Sequence, residues 1–279
     1  MDQWIHVLPD GRVFIDYGPA SMVITARRGG EAMTELAREV FPVVRDALEE
    51  IAGELSVLRQ FPSEGDFSHL EGLPRVMAEA VLATGEPTLT PMAAVAGTMA
   101  DMAADWIFAR GADMVAVNNG GDVAVRLAEG QTMRLGILPD LGGQITQVVT
   151  LSGGSGIGGV CTSGLGGRSL TRGIANSVTV FSARCALADA CATHIANCSC
   201  IESPRVHSCL AGELERESDI ADLSVVYRVD PLLEEEIQRG LLQVREEMER
   251  QLSKGNLLYA AADIQGHCIW IPQKLDLII

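Results

Sequence analysis

The sequence predicts an α+β fold, with strands and helices in separate blocks. Three observations predict it. Residues 4–27 read as short strands, residues 112–181 hold a second series of strands, and helical periodicity fills the segments between and after them. A parallel α/β sheet would need a helix after each strand, and the chain does not supply one.

Trp4 to Leu8, Arg12 to Tyr17 and Ser21 to Arg27 are β-type runs, separated by Pro9-Asp10-Gly11 and Gly18-Pro19. A helical pattern then runs from Glu31 to Gln60, with Leu36, Val40, Val44, Leu48, Ile51, Leu55 and Leu58 on one stripe; Pro42 kinks or splits it. Residues 61–72 form a polar loop. Helices are expected at Pro74 to Ala83 and Pro91 to Arg110, where each proline suits the first turn. The period then changes. Met114 to Val117, Val123 to Leu127, Met133 to Leu138, Ile145 to Leu151, Ile157 to Thr162 and Val178 to Phe181 read as strands with glycine-rich joints. A helix of small residues follows from Ala183 to Asn197, then an irregular Cys/His segment and an acidic stretch. A charged helix spans Pro231 to Lys254, with Glu234, Glu235 and Glu236 suiting its N-terminal dipole. A hairpin of Leu257 to Ile264 and Cys268 to Ile271 completes a single domain over residues 1–279.

Composition narrows the function classes. Of 279 residues, 47% are hydrophobic and 21% charged, which is a globular balance. The formal net charge of −16 and only two lysines, Lys254 and Lys274, argue against nucleic acid as a partner. Aromatics at 4% also leave little for a base-stacking platform. No run of about twenty apolar residues is present, so no membrane span is expected. Met1-Asp2-Gln3-Trp4 carries no basic stretch before an apolar run, so a cytoplasmic location is expected. Seven cysteines there are free thiols or metal ligands sooner than disulfides.

Nine of the twenty-one residues from Gly153 to Gly173 are glycine. Gly154-Ser155-Gly156-Ile157-Gly158-Gly159 matches G-x-G-x-x-G, but the residues after it look extended, so a dinucleotide fold is rejected. Bulged hairpins or close approach of backbone to a bulky ligand both explain the glycines. Asn118-Asn119-Gly120-Gly121-Asp122 between two strands is a hairpin turn, whose N–H groups could also cradle an anion. Asp189 and Thr193 lie four apart on the small-residue helix, so both oxygens leave one face. They suit Mg²⁺ beside a phosphate; alternatively, Asp189 caps a neighbouring segment.

Six ordered motifs over residues 91–197 resemble the ApbE superfamily. They are Gly97 to Asp101, Asn118 to Asp122, Gly136-Ile137-Leu138-Pro139, Thr162-Ser163-Gly164, Ser177-Val178-Thr179-Val180, and Ala188-Asp189-Ala190-Cys191-Ala192-Thr193. The resemblance implies a T-fold type of architecture, with antiparallel sheets against long helices and a flavin nucleotide, FAD or FMN, held between them. It implies Asp189, Thr193 and the carbonyl of Ala94 as Mg²⁺ ligands. Nucleotide contacts are implied at Asn118, Gly120, Gly121, Asp122, Thr162, Ser163 and Gly164, with Asp101 a further candidate. In the family's transferases FMN is moved from FAD to a threonine of an acceptor protein.

The chain also departs from the transferases. Ala96 stands where they carry a lysine, and residues 167–176 lack their H-x-x-D-P-x-T-G segment and its histidine, the family's proton-transfer group. Arg168 and Arg172 are then the natural cations for a phosphate. Cys191, His194, Cys198, Cys200, His207 and Cys209 crowd together and offer zinc or iron ligands, though in no standard spacing. Cys191, His194 and Cys198 share one helical face by spacing. Asp101 and Asp105 form a one-turn carboxylate pair, of which Asp105 reads as surface, and the acidic run from Glu213 to Asp222 reads as solvated. The expectation is an ApbE-like protein binding a flavin or related nucleotide with a divalent cation, possessing or lacking transferase-like activity. The alternatives are a non-catalytic scaffold of the same fold and a Cys/His metal or redox protein. A dimer paired through sheet edges is expected.

Overall fold

Alternating burial sets up the first block: in β3 (Ala20–Arg28) every second side chain from Ala20 to Ala26 is buried, as one covered sheet face requires. β1 (Ile5–Val7) and β2 (Val13–Tyr17) pair antiparallel beside it. The computed structural model describes residues 3–137, 147–167 and 169–272.

The long helix expected from Glu31 to Gln60 is split at Pro42, one of the two outcomes expected there, and is corrected at its ends and by a second break after Gly53. Gly29 and Gly30 take positive φ of 57° and 86°, which turns the chain back so that β4 (Glu31–Ala32) pairs with β3. The rest divides into α1 (Thr34–Glu39), α2 (Phe41–Gly53) and α3 (Leu55–Leu58). Pro42 sits in the first turn of α2, where its missing N–H costs nothing, and it marks the first break. α4 (Gly72–Thr84) follows, and a short 3-10 turn over Pro91–Ala94 leads into α5 (Val95–Phe108).

The strand block matches the sequence reading closely. β5 (Met114–Asn119), β6 (Asp122–Leu127), β9 (Gly159–Ser163) and β10 (Ser177–Ser182) extend the antiparallel sheet, which closes with β13 (Tyr259–Ile264) and β14 (His267–Ile271). The path among the described residues is β1-β2-β3-β5-β6-β9-β10-β13-β14, with β4 beside β3. β7 (Thr132–Ile137) and β8 (Gln147–Ser152) form a separate hairpin.

Two layers cover the sheet. On one face Val115, Val117, Val178, Val180, Ala260 and Ala262 pack against the helices. α6 (Cys185–Asn197) is central there, touching α4, α5 and α8 (Glu234–Ser253). Its alanines suit a helix enclosed on most sides. On the other face the β7–β8 hairpin buries Val149 and Leu151 against Val125, Val160 and Phe181. All six residues of β10 are buried because both layers meet over it.

The irregular, acidic stretch is corrected too. β11 (Val206–Leu210) pairs with β12 (Ser224–Val229), and the acidic residues lie mostly in their connection with α7 (Ala211–Leu214). Asp219 in that connection accepts a hydrogen bond from Thr90 Oγ1 and so is not simply solvated. No helix among the described residues is long and apolar enough to cross a membrane.

Candidate functional site

α5 and α6 run antiparallel, since Gly97 meets Asp189 while Asp101 meets Ala186. Neither helix has a capping side chain of its own; Ala94 and Arg184 occupy the cap positions without a side-chain bond. Each helix is capped by the other. Asp189 Oδ2 accepts the N–H of Gly97 at 2.9 Å, with the N–H of Ala96 also turned to it. Asp101 Oδ2 accepts the N–H of Ala186 at 3.1 Å. Both carboxylates thus satisfy first-turn N–H groups that have no partner within their own helix. Gly97 permits the approach, because a Cβ there would lie 2.4 Å from the Cys185 carbonyl oxygen and 2.9 Å from Asp189 Cβ.

The Asp101 end is electrically complete. Arg126 of β6 donates to Asp101 Oδ1 at 2.6 Å and to Asp105 Oδ1 at 2.5 Å. Arg184 lies 3.3 Å from Asp101 Oδ2 and donates to Asp105 Oδ2 at 2.8 Å. Two carboxylates and two guanidinium groups share one network. Asp105 is therefore bound to two arginines, whereas the sequence reading left it as a surface residue. Asp101 is buried, with Arg126, Arg184 and the Ala186 N–H around its carboxylate.

The Asp189 end has the cap and, among the described residues, no cation bound to it. Asp122, at the start of β6, is its charged neighbour, and both side chains are half-buried. Burial pushes Asp122 up to about 6, against bonds from the Cys161 thiol and the Thr162 N–H that favour its charge. Burial likewise raises Asp189 well above the usual carboxylate range, and the Asp122 charge adds to it; bonds from the Gly97 and Ala96 N–H groups act the other way. Cys161 and Cys185 lie beside the pair with their sulfurs 3.4 Å apart, and burial raises both thiols, Cys185 to about 12. These are inert thiols, not nucleophiles. Thr193 follows Asp189 by one turn of α6 and is half-buried, while Ala94 is buried where the 3-10 turn joins α5. Carboxylates, a hydroxyl and a carbonyl make a hard-oxygen donor set, and two neighbouring carboxylates with no cation bound among the described residues fit a small dication.

The remaining site residues divide between this end and other places. Asn118 is exposed, and its Oδ1 accepts the N–H of Gly121 at 2.9 Å, which is turn chemistry. Its neighbour Asn119, which sequence reasoning missed, is the one turned inward; it donates to the Ala96 carbonyl at 3.2 Å and accepts the Ser21 N–H at 3.3 Å. Gly120 and Gly121 are exposed, with positive φ of 72° and 120°. Thr162 Oγ1 shares a 2.8 Å hydrogen bond with Thr179 Oγ1 on the hairpin face of the sheet, and Ser163 is buried. Gly164 lies against the Asn176 carbonyl. Arg172 is engaged near the far end of α6, donating its backbone N–H to Asn197 Oδ1 at 2.9 Å and Nη1 to Thr88 Oγ1 at 2.7 Å. Arg168, Leu138 and Pro139 lie outside the described residues.

The glycine-rich segment has a reason that the sequence left between two others. At Gly158 and Gly159 an added Cβ would meet the backbone of Ala183 and of Cys185 at 2.2 and 2.3 Å. These glycines let the chain entering α6 lie directly on β9. A cavity of about 250 Å³ opens just beyond the Thr162–Gly164 strand end, lined by Leu165, Gly166, Ile174, Asn176, Tyr227 and Arg228 among others. It does not include the acid pair.

The crowded Cys/His segment is dispersed by the fold. Cys191 is buried, Cys200 is exposed, and His207 on β11 pairs with Asp230 at 2.8 Å. His194 and Cys198 stay together and are joined by Glu247 of α8.

Comparisons with known proteins agree with the motif-based resemblance. The family model described as AbpE bacteria matches residues 5–269. A UPF0280 protein of Methanopyrus kandleri is 39% identical over 168 residues, covering 58% of this chain and 65% of that protein, just under two thirds of its length. A UPF0280 protein of Methanosarcina barkeri is 32% identical over 188 residues, covering 63% and 68% respectively. Among solved structures, the apo form of the flavinyl transferase ApbE from Pseudomonas stutzeri aligns over 64% of this chain and 81% of its own, at 16% identity and a TM-score of 0.43. At that score the likeness carries no functional argument.

Proposed function

This chain belongs to the AbpE bacteria family, and on that premise we propose that it binds a flavin nucleotide, FAD or FMN, or a related pyrophosphate nucleotide, together with a divalent cation. The observation that carries the reading is the Asp122–Asp189 pair: two neighbouring carboxylates, both raised by burial and Asp189 also by the Asp122 charge, with no arginine or lysine bound to either among the described residues. An Asp101-type arrangement shows that this chain supplies arginines where it needs them for structure.

Asp189 and Asp122 would hold the cation, with Thr193 Oγ1 and the Ala94 carbonyl completing the protein's share. A bound Mg²⁺ would neutralise pyrophosphate charge and act as a Lewis acid on it. The protein's own part is positioning. The Ala96 and Gly97 N–H groups fix Asp189, and Asn119 ties that turn of α5 to the end of β5. Beside Asp122, the position of a Gly121 side chain is open space, which leaves room for a ligand. Transfer of FMN to a protein acceptor is the finer form of the reading. It would have to proceed without the lysine and histidine that Ala96 and residues 167–176 replace.

The test is a titration with FAD, FMN and ADP, each with and without Mg²⁺. Saturable FAD binding that requires Mg²⁺ and is weakened at least tenfold in Asp189→Asn is expected. Flat titrations with all three nucleotides overturn the reading. Mass spectrometry of a threonine-containing acceptor peptide incubated with protein and FAD reads transfer separately.

A further inference from the structure

His194 follows Thr193 on α6 but is turned to a different face, toward α8 and the loop after α4. It is buried, and both ring nitrogens meet carboxylates: Nε2 lies 2.7 Å from Glu247 Oε1 and Nδ1 lies 3.5 Å from Glu86 Oε2. Cys198, one turn further on, places Sγ 4.0 Å from Nδ1. One ligand atom each from His194, Cys198 and Glu247 lies within 4.8 Å of the others.

We propose that His194, Cys198 and Glu247 form a second metal site, distinct from the Asp189 end, for a dication of the zinc class. Imidazole, thiolate and carboxylate are the ligand types that such an ion takes, and a tetrahedral site with them has ligand-to-ligand edges of about 3.3–3.6 Å. For one ion to take all three, Glu247 and Cys198, now at opposite ring nitrogens, must turn to the same nitrogen, the 2.7 Å contact opening as the sulfur closes in. Glu247 already has outer partners for the role. Gln251 donates to its Oε1 at 2.6 Å, and Arg250 reaches its Oε2 at 2.6 and 2.8 Å. Such outer partners are what fix a ligating carboxylate. Glu86 stands beside the ring as a fourth donor, its own Oε1 held by Thr88, which Arg172 in turn contacts.

Charge supports the same occupant. Glu86, Glu247 and a Cys198 thiolate set three negative charges against the two positive charges of Arg250 and Arg172, a net negative cluster that favours a cation. Cys198 and Glu86 are only partly buried, which leaves a path from solvent. On binding, the metal–sulfur bond forms as the S–H bond breaks, and the proton leaves to solvent.

The experiment is metal analysis of the purified chain followed by loading with Co²⁺ alone. About one equivalent of Zn²⁺ or Co²⁺ is expected, with a near-ultraviolet sulfur-to-cobalt band. That band disappears in Cys198→Ser and persists in Asp189→Asn and in Cys200→Ser. Glu247→Gln lowers cobalt affinity tenfold or more. Circular dichroism checks that each variant is folded. Absence of uptake by the wild type overturns the proposal, as does a band that survives Cys198→Ser or is lost only in Cys200→Ser.

Discussion

The two ends of the α5–α6 pair use one device and differ in charge. At one end Asp101 caps α6 and is bound by Arg126 and Arg184. At the other Asp189 caps α5, and the charged group beside it is a second acid, Asp122. Capping alone explains a carboxylate at each end. It does not explain why one end is neutralised and the other is crowded with negative charge. Burying two acids together is costly, and among the described residues no guanidinium or ammonium group offsets the second pair as two offset the first.

The contrast breaks most visibly at Asp101. Asp101→Ala removes the α6 cap and leaves Arg126 buried beside a single carboxylate, so a loss of about 3 kcal/mol is expected. Denaturant unfolding checks it; a loss no larger than that of an exposed surface substitution would make the network incidental. Next comes the shared seam. Gly97→Ala puts a methyl 2.4 Å from the Cys185 carbonyl oxygen, and overpacking of about 2 kcal/mol is expected as the helices part. Nucleotide or cation affinity should fall with it, because Asp189 loses its anchor.

Asp189→Asn should behave in the opposite sense to Asp101→Ala. Asparagine keeps a carbonyl oxygen for the cap and relieves the repulsion from Asp122, so without cations the variant gains on the order of 1 kcal/mol near neutral pH. The sign follows from linkage. Burial first, and the neighbouring acid second, hold Asp189 above its ordinary range, and burial holds Asp122 at about 6. The folded chain therefore keeps protons that the unfolded chain has lost. The pair's own contribution to stability is fullest below about pH 4 and falls as pH rises through about 6, a slope that Asp189→Asn reduces.

Much of this architecture is legible from residue patterns. The strands from Met114 to Phe181 show a period of two with glycine joints, and the enclosed helix α6 shows in its alanines. Asp189 and Thr193 are legible through spacing and through the motif order. What escapes is long-range pairing. Nothing near Asp101 or Asp105 announces Arg126, some twenty residues away on a strand. Glu247, fifty-three positions beyond His194, is equally silent. Asn118 and Asn119 are indistinguishable in composition, and only the register of β5 turns the second inward, since one step along a strand reverses the face. The β11–β12 hairpin was hidden by its acidic connection, and the break between α2 and α3 by an apolar stripe that runs on through Ile51, Leu55 and Leu58.

The most direct measurement is thermal unfolding with and without Mg²⁺, at about pH 8 and at about pH 5, for the wild type and Asp189→Asn. Mg²⁺ should raise the wild-type midpoint more at the higher pH, where Asp122 has passed its value of about 6 and fewer protons compete with the cation, than at the lower, where Asp122 is protonated. Asp189→Asn should not respond at either. A midpoint that ignores Mg²⁺ at about pH 8, or one that rises equally in Asp189→Asn, would contradict a cation site at this end of the helix pair.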